Sequence, residues 1–353
     1  MKNHKYNITT MKHSLISCFL LFTAVTLLAQ TSVAQPVPAG FEEAYTLIED
    51  MLLHPEKMDF KEVVFAVDNA YLEGKADHDA YIAEIGRITE VLRPMVRTYA
   101  MQMPSVDLAR NYAIHSCYID GNAANRGKPF AYDMQTTLRN GMPPFGTVIE
   151  LLQTGLGTCR SLPFLYKILA DELDAKAWLA MAPNHCFIRQ RDANGTWWNF
   201  ETTAGQFFHT STYVRIFNIP EVSIRNGLYL KELTDTELLA YALQDLVNAY
   251  HAKTGIWSDD FIRRCFTLGL SYVPICNLQL DRWNYLYDQL RQRAMAVGIR
   301  TESAINAHPA THDLYVQVEA LRDSIKEMGF VDITPEFYMN NLREMQQFVE
   351  SQK

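Results

Sequence analysis

Cys159 stands in Gly155-Leu156-Gly157-Thr158-Cys159-Arg160-Ser161-Leu162, between a glycine turn and the start of a helical pattern. At a helix N-terminus, unsatisfied amide N–H groups and the helix dipole favour the thiolate, which is the nucleophilic form of cysteine. Pro163 suits the first turn of a helix, so the helix is expected to open at Ser161 and to leave Cys159 just ahead of it. His185 follows in Ala182-Pro183-Asn184-His185-Cys186-Phe187, at the head of a strand pattern, and is the candidate base. Glu201 closes Trp197-Trp198-Asn199-Phe200-Glu201 on the next strand pattern, where it would orient the imidazole. A thiol, a base and a carboxylate in these roles make acyl transfer through a thioester the chemistry to expect.

Strand parity decides whether the three groups can meet. Asp192-Ala193-Asn194-Gly195 separates the two strand patterns and is a hairpin signal. A two-residue loop would set Glu201 opposite Ile188, on the face away from His185. A three-residue loop, Ala193-Asn194-Gly195 as a type I turn closed by a glycine bulge, pairs Asp192 with Thr196. Glu201 then faces Phe187 on the side of His185. Asp at the first turn position and Gly at the left-handed one favour this second register. It also turns Cys186 to the opposite face, where packing is its expected role.

The elements that must hold these residues can be read from periodicity. Helices are expected over 40–53, from the Asp59/Glu62 capping box towards Gly74, from Asp77 to a stop before Pro94, and again after Pro104. Residues 120–147, with Asn, Gly and paired prolines, read as a long loop. Leu162, Leu165, Tyr166, Leu169 and Leu173 recur at helical spacing, and strands are expected over 176–181, 185–190 and 196–201. Helical patterns return at 236–253, 258–273, 278–296, 312–328 and 335–350, the last capped by Thr334-Pro335. Trp197, Trp198 and Tyr166 suit aromatic core better than a substrate groove. Asn194-Gly195-Thr196 matches a glycosylation sequon, which the hairpin turn explains by itself. The spacing of His115, His209 and His308 suits no metal, and neither metal nor cofactor is expected.

Gly-x-Cys-x-Ser-Leu before a helix, Asn-His on a strand and Trp-x-Asn-Phe-Glu on the next resemble the transglutaminase-like branch of the papain-like thiol superfamily, over about Thr147 to Phe208. The flanking helices are similar to those of a bacterial subgroup with trailing tetratricopeptide-like helices. The resemblance implies an α+β fold with a papain-like core, in which the cysteine heads a helix packed on an antiparallel sheet. It carries the nucleophile to Cys159, the base to His185 and the acidic position to Glu201, where the superfamily usually has Asp. It implies an oxyanion site from the Cys159 N–H and a side-chain donor, for which Gln153, six residues earlier, is the candidate. The expected segments are a signal peptide at 1–34, a helical region at 35–120, a catalytic core at 121–230 and a tetratricopeptide-like region at 231–353.

Composition bounds the partners. The 353 residues are 48% hydrophobic with a net charge of −8 and no basic block, which excludes a disordered chain and argues against nucleic acid. Residues 14–30 form an apolar stretch behind Lys2, Lys5 and Lys12, so export to the periplasm or beyond is expected, with cleavage after Ala34. An uncleaved anchor helix is the alternative, and no other membrane association is expected. The expected activity is an exported thiol hydrolase or acyltransferase acting on a peptide or protein. The alternative is an inactive binding or scaffold protein whose C-terminal helices dock a protein partner.

Overall fold

The computed structural model describes residues 36–140, 145–331 and 334–351, and the leader assigned to 1–34 lies outside them. The chain begins with helices α1 (Ala39–Leu53), α2 (Phe60–Tyr71), α3 (His78–Ala100) and α4 (Val106–Ile119). Asp59 caps α2 by accepting the N–H groups of Lys61 and Glu62, while the Glu62 carboxylate turns to His78 instead of completing a capping box. The stop expected before Pro94 is not there, because α3 runs through it to Ala100. Pro94 and Glu90 are both exposed, so the freed Glu90 carbonyl can bond water. Met95, Val96 and Tyr99 beyond the proline still pack on the core and keep the helix in place.

The segment expected as one long loop carries structure. It contains β1 (Ala131–Tyr132) and α5 (Met134–Asn140), followed by α6 (Val148–Thr154) and β2 (Leu156–Gly157), which pairs in parallel with β1. Helix α7 (Ser161–Glu172) comes next. It leads into an antiparallel sheet whose strands lie side by side in chain order: β3 (Ala177–Ala182), β4 (His185–Arg191), β5 (Trp197–Glu201) and β6 (Gln206–Phe208). Strand β6 was not anticipated, and neither were the short helices α8 (Thr210–Ile216) and α9 (Glu221–Arg225). Each is too brief to show a period. Helices α10 (Asp235–Thr254), α11 (Asp260–Tyr272), α12 (Leu278–Ala296), α13 (Glu302–Ala307), α14 (His312–Met328) and α15 (Pro335–Ser351) complete the chain. Thr334 caps α15 by accepting the N–H of Phe337 at 3.0 Å. Among the described residues no helix is long and apolar enough to cross a membrane.

The class is α+β. The hairpin register is the one with Asp192 against Thr196: Ile188 lies opposite Phe200 and Arg191 opposite Trp197, and the N–H of Asp192 reaches the Thr196 carbonyl at 3.0 Å. The Asp192 carboxylate accepts the N–H groups of Asn194 and Thr196, and Gly195 takes a φ of +82° that a side chain would resist. Alternation then gives each strand two distinct faces. Ile188 and Phe200 pack towards α7, where Tyr166 approaches the Phe200 ring at 5.7 Å. Phe187 faces the other way, stacked on Tyr213 of α8 at 4.1 Å.

Residues from both ends of the chain share a core. Phe41 of α1 meets Tyr250 of α10 edge to face at 5.2 Å and Phe261 of α11 at 6.0 Å. Helix α2 bridges the two larger apolar clusters, giving Phe60 and Val64 to the one around the sheet and Val63 and Val67 to the one around α10. A smaller cluster of Leu290, Ala294, Ile305, Leu314 and Val318 holds α12 to α14. Helices α1 and α2 from the first helical segment are therefore packed against α10 and α11 from the last.

Candidate active site around Cys159

The turn that presents Cys159 is built by its neighbours. Thr147 and Glu150 form a reciprocal capping box that starts α6, and Gly155 ends it in the left-handed region. Gly157 follows in β2, where a Cβ would come within 2.8 Å of the Ser161 hydroxyl, so only glycine lets the chain approach its own helix so closely. The Thr158 hydroxyl accepts the N–H groups of Arg160 at 3.3 Å and Ser161 at 3.2 Å, and the Ser161 hydroxyl accepts the N–H of Thr158 at 2.9 Å. This reciprocal pair caps α7, with Cys159 in the turn just before Ser161. The Cys159 side chain is half-buried, its Sγ lies 4.0 Å from the Asn184 carbonyl, and its N–H has no partner among the described residues.

His185 is brought alongside by a two-residue turn. Ala182 pairs with His185 across Pro183 and Asn184, and Asn184 takes the left-handed conformation with φ of +51°. His185 Nε2 lies 2.8 Å from Glu201 Oε2, and Cys159 lies close enough to the ring to act on its charge. With Nε2 engaged by the carboxylate, Nδ1 is the atom left for the thiol. Glu201 is fully buried and its oxygens are fully used. Oε2 also accepts the Tyr213 hydroxyl at 2.9 Å, and Oε1 accepts the Thr203 N–H at 3.1 Å and hydroxyl at 2.6 Å. Phe217 stacks on the imidazole with ring centres 5.3 Å apart.

The electrostatics follow from these contacts. Burial on its own would lower the His185 pKa, but the Glu201 carboxylate and the Cys159 thiol outweigh it and push it up to about 10. Burial would raise Glu201, yet the imidazolium and the Thr203 donors hold it below the usual carboxylate value. The geometry thus favours a charged imidazole between a carboxylate and a sulfur. The other four cysteines among the described residues are free thiols whose pKa values burial raises, Cys117 and Cys276 to about 12 and Cys186 and Cys265 well above the ordinary value.

Behind the turn lies a second buried charge cluster. Arg160 Nε is 2.6 Å from Asp245 Oδ2 on α10, and its Nη1 is 2.9 Å from both Asp68 Oδ1 on α2 and the Gly146 carbonyl. The guanidinium also lies over the rings of Phe145, at 4.3 Å, and Phe164, at 4.7 Å. Burial raises Asp68 to about 6 against the pull of Arg160 and the Val148 N–H, with Asp245 adding to the rise. Burial raises Asp245 too, again against Arg160.

No family model, curated protein or solved structure matches this chain.

The structure brings Cys159, His185 and Glu201 into one region, and Gln153 lies on α6, the helix that leads into the Cys159 turn. Gln153 is exposed near the end of α6 and makes no hydrogen bond to Cys159 or His185 among the described residues. Of the aromatic residues, Tyr166 is in the core, Trp197 lies under the guanidinium groups of Arg189 and Arg191, and Trp198 is 44% exposed. Among the described residues no three His, Cys, Asp or Glu side chains gather as metal ligands. Sequence reasoning missed Tyr213 and Phe217, which lie on and just after a seven-residue helix with no readable period. It also missed Asp68 and Asp245, although a signal existed. Each is an acid on an apolar helix stripe, beside Val64 and Val67 in one case and Leu246 and Val247 in the other.

Proposed function

We propose that this protein is a cysteine-dependent acyl-transfer enzyme of the transglutaminase-like, papain-like type, exported and acting on a peptide or carboxamide bond. The observation that carries the reading is the buried His185–Glu201 pair at 2.8 Å, set beside Cys159 at the start of α7. Cys159 attacks the carbonyl carbon as a thiolate, and the oxyanion that forms is received by the Cys159 N–H. The His185 imidazolium then gives its proton to the departing nitrogen, leaving a thioester on Sγ. Water or an amine attacks the thioester, returning a proton to His185 and releasing the thiolate. Glu201 holds the ring in the tautomer and direction this cycle needs, and Tyr213 and Thr203 hold Glu201.

The test is the pH dependence of iodoacetamide alkylation at Cys159, read by peptide mass, in the full protein and in His185→Ala. Fast labelling near pH 6 that disappears in the variant is the expected result, because an ordinary thiol with a pKa of about 8.5 stays protonated there. Labelling that rises only above pH 8 in both proteins would overturn the reading in favour of a non-catalytic binding protein.

A further inference from the structure

We propose that Asp68 and Asp245 are positioning residues for Cys159, acting through Arg160 and tying the nucleophile to helices α2 and α10. The inference rests on the thiolate reading of Cys159 given above. Arg160 directly follows Cys159, and its side chain is held from four directions. Asp245 grips Nε from α10, Asp68 grips Nη1 from α2, the Gly146 carbonyl takes Nη1 from the segment before α6, and Phe164 lies against it one turn along its own helix. Asp68 extends the grip, because its second oxygen accepts the Val148 N–H at 2.6 Å and so fixes the start of α6 as well. With the guanidinium immobile, the backbone of residue 160 is immobile, and Cys159 is one peptide away.

As a stabilising device this cluster would be poorly built. Two carboxylates share one buried guanidinium, and Arg160 Nη2 is buried without a partner. Buried ion clusters often contribute less to stability than apolar side chains of the same volume, since desolvation offsets their attraction. What this one does supply is direction. Planar guanidinium geometry allows few arrangements of its partners, and catalytic groups need placement to about 0.5 Å. The two acids come from segments 92 residues before and 85 residues after Arg160, so both helical regions must dock before the turn is held.

Asp245→Asn and Asp68→Asn separate positioning from charge. Each keeps an oxygen acceptor and leaves one carboxylate for one guanidinium, a balanced pair that should still fold. Removing a negative charge near Cys159 would, by Coulomb's law alone, favour the thiolate and move its titration down. Loss of positioning weakens the contact with His185 and moves it up. The experiment is the pH profile of Cys159 alkylation in the full protein for wild type, both Asn variants and Val247→Ala, with urea unfolding midpoints alongside. Val247→Ala trims a buried side chain on α10 outside the cluster, so it should lower the unfolding midpoint and leave the profile in place. The expected result is an upward move of the alkylation midpoint in both Asn variants, towards about 8.5, with at least a tenfold slower reaction near pH 6. A midpoint that stays or falls in the folded Asn variants overturns the positioning role while leaving the thiolate reading intact. A wild-type profile that already lies above pH 8 overturns both.

Discussion

Two buried ionic groups flank Cys159, and burial acts on them with opposite results. At His185 and Glu201 the charges are matched one to one, and the carboxylate accepts four hydrogen bonds. There the pairing outweighs desolvation, so the carboxylate pKa falls and the imidazole pKa rises. At Arg160 two acids share a single cation and a donor is left over, and there desolvation wins, so both acid pKa values rise. The stoichiometry of partners, rather than depth of burial, sets the sign. One cluster is suited to holding charge on a reactive ring, and the other to holding a turn in place.

The comparison can be broken most forcefully at Arg160. Arg160→Met leaves Asp68 and Asp245 buried without their cation, and an unfolding free energy lower by about 3–5 kcal/mol is expected from urea denaturation. A change under about 1 kcal/mol would mean that the acids are wetter than their burial implies. Glu201→Gln should cost less, about 1–3 kcal/mol, because it strands one imidazole, which can give up its proton, where Arg160→Met strands two buried acids. In that variant Cys159 alone is left to oppose the effect of burial on His185. Its pKa, followed by proton NMR of the ring, should fall from the wild-type value near 10 to below the ordinary 6.5. A high value retained in Glu201→Gln would show that Cys159, and not Glu201, is the main partner.

The smallest effect is a difference of slope with pH. The stability from His185, whose pKa is raised on folding, is fully present below its unfolded value of about 6.5 and is lost as pH rises towards about 10. Glu201, with its pKa lowered, stabilises above its unfolded value of about 4.5 and loses this as pH falls. Asp68 works the other way from Glu201. Its pKa of about 6 in the fold means that stability is lost as pH rises from about 4 to 6, since the unfolded chain ionises first. Asp68→Asn should therefore gain on wild type across that interval, measured as urea midpoints at pH 4, 5 and 6. A constant difference would assign the raised value to the wrong acid.

The site was more legible in the sequence than its supports. The type and order of residues in the Asp192–Gly195 turn were enough to choose the register, because a shift of one residue would have sent Glu201 to the far face. The helix start at Ser161 followed from Pro163 in the same local way. Pro94 misled because its local cost falls on an exposed carbonyl while Met95, Val96 and Tyr99 are held by distant partners. Tyr213 and Phe217 were hidden because what they do depends on how 210–217 folds back over β4, which no local pattern encodes. Asp68, Arg160 and Asp245 look unrelated along the chain, since nothing in one sequence reports a contact across 85 or 92 residues.

That long reach has a kinetic side. Contacts between residues far apart in sequence form late, after the loop-closure entropy between them has been overcome. The Cys159 turn is completed only when α10 arrives, so a nascent chain that has emerged through β5 already contains Cys159, His185 and Glu201 but lacks the last piece of their frame. On the proposed reading of Cys159, this order holds back full reactivity until the chain has been made at least as far as α10.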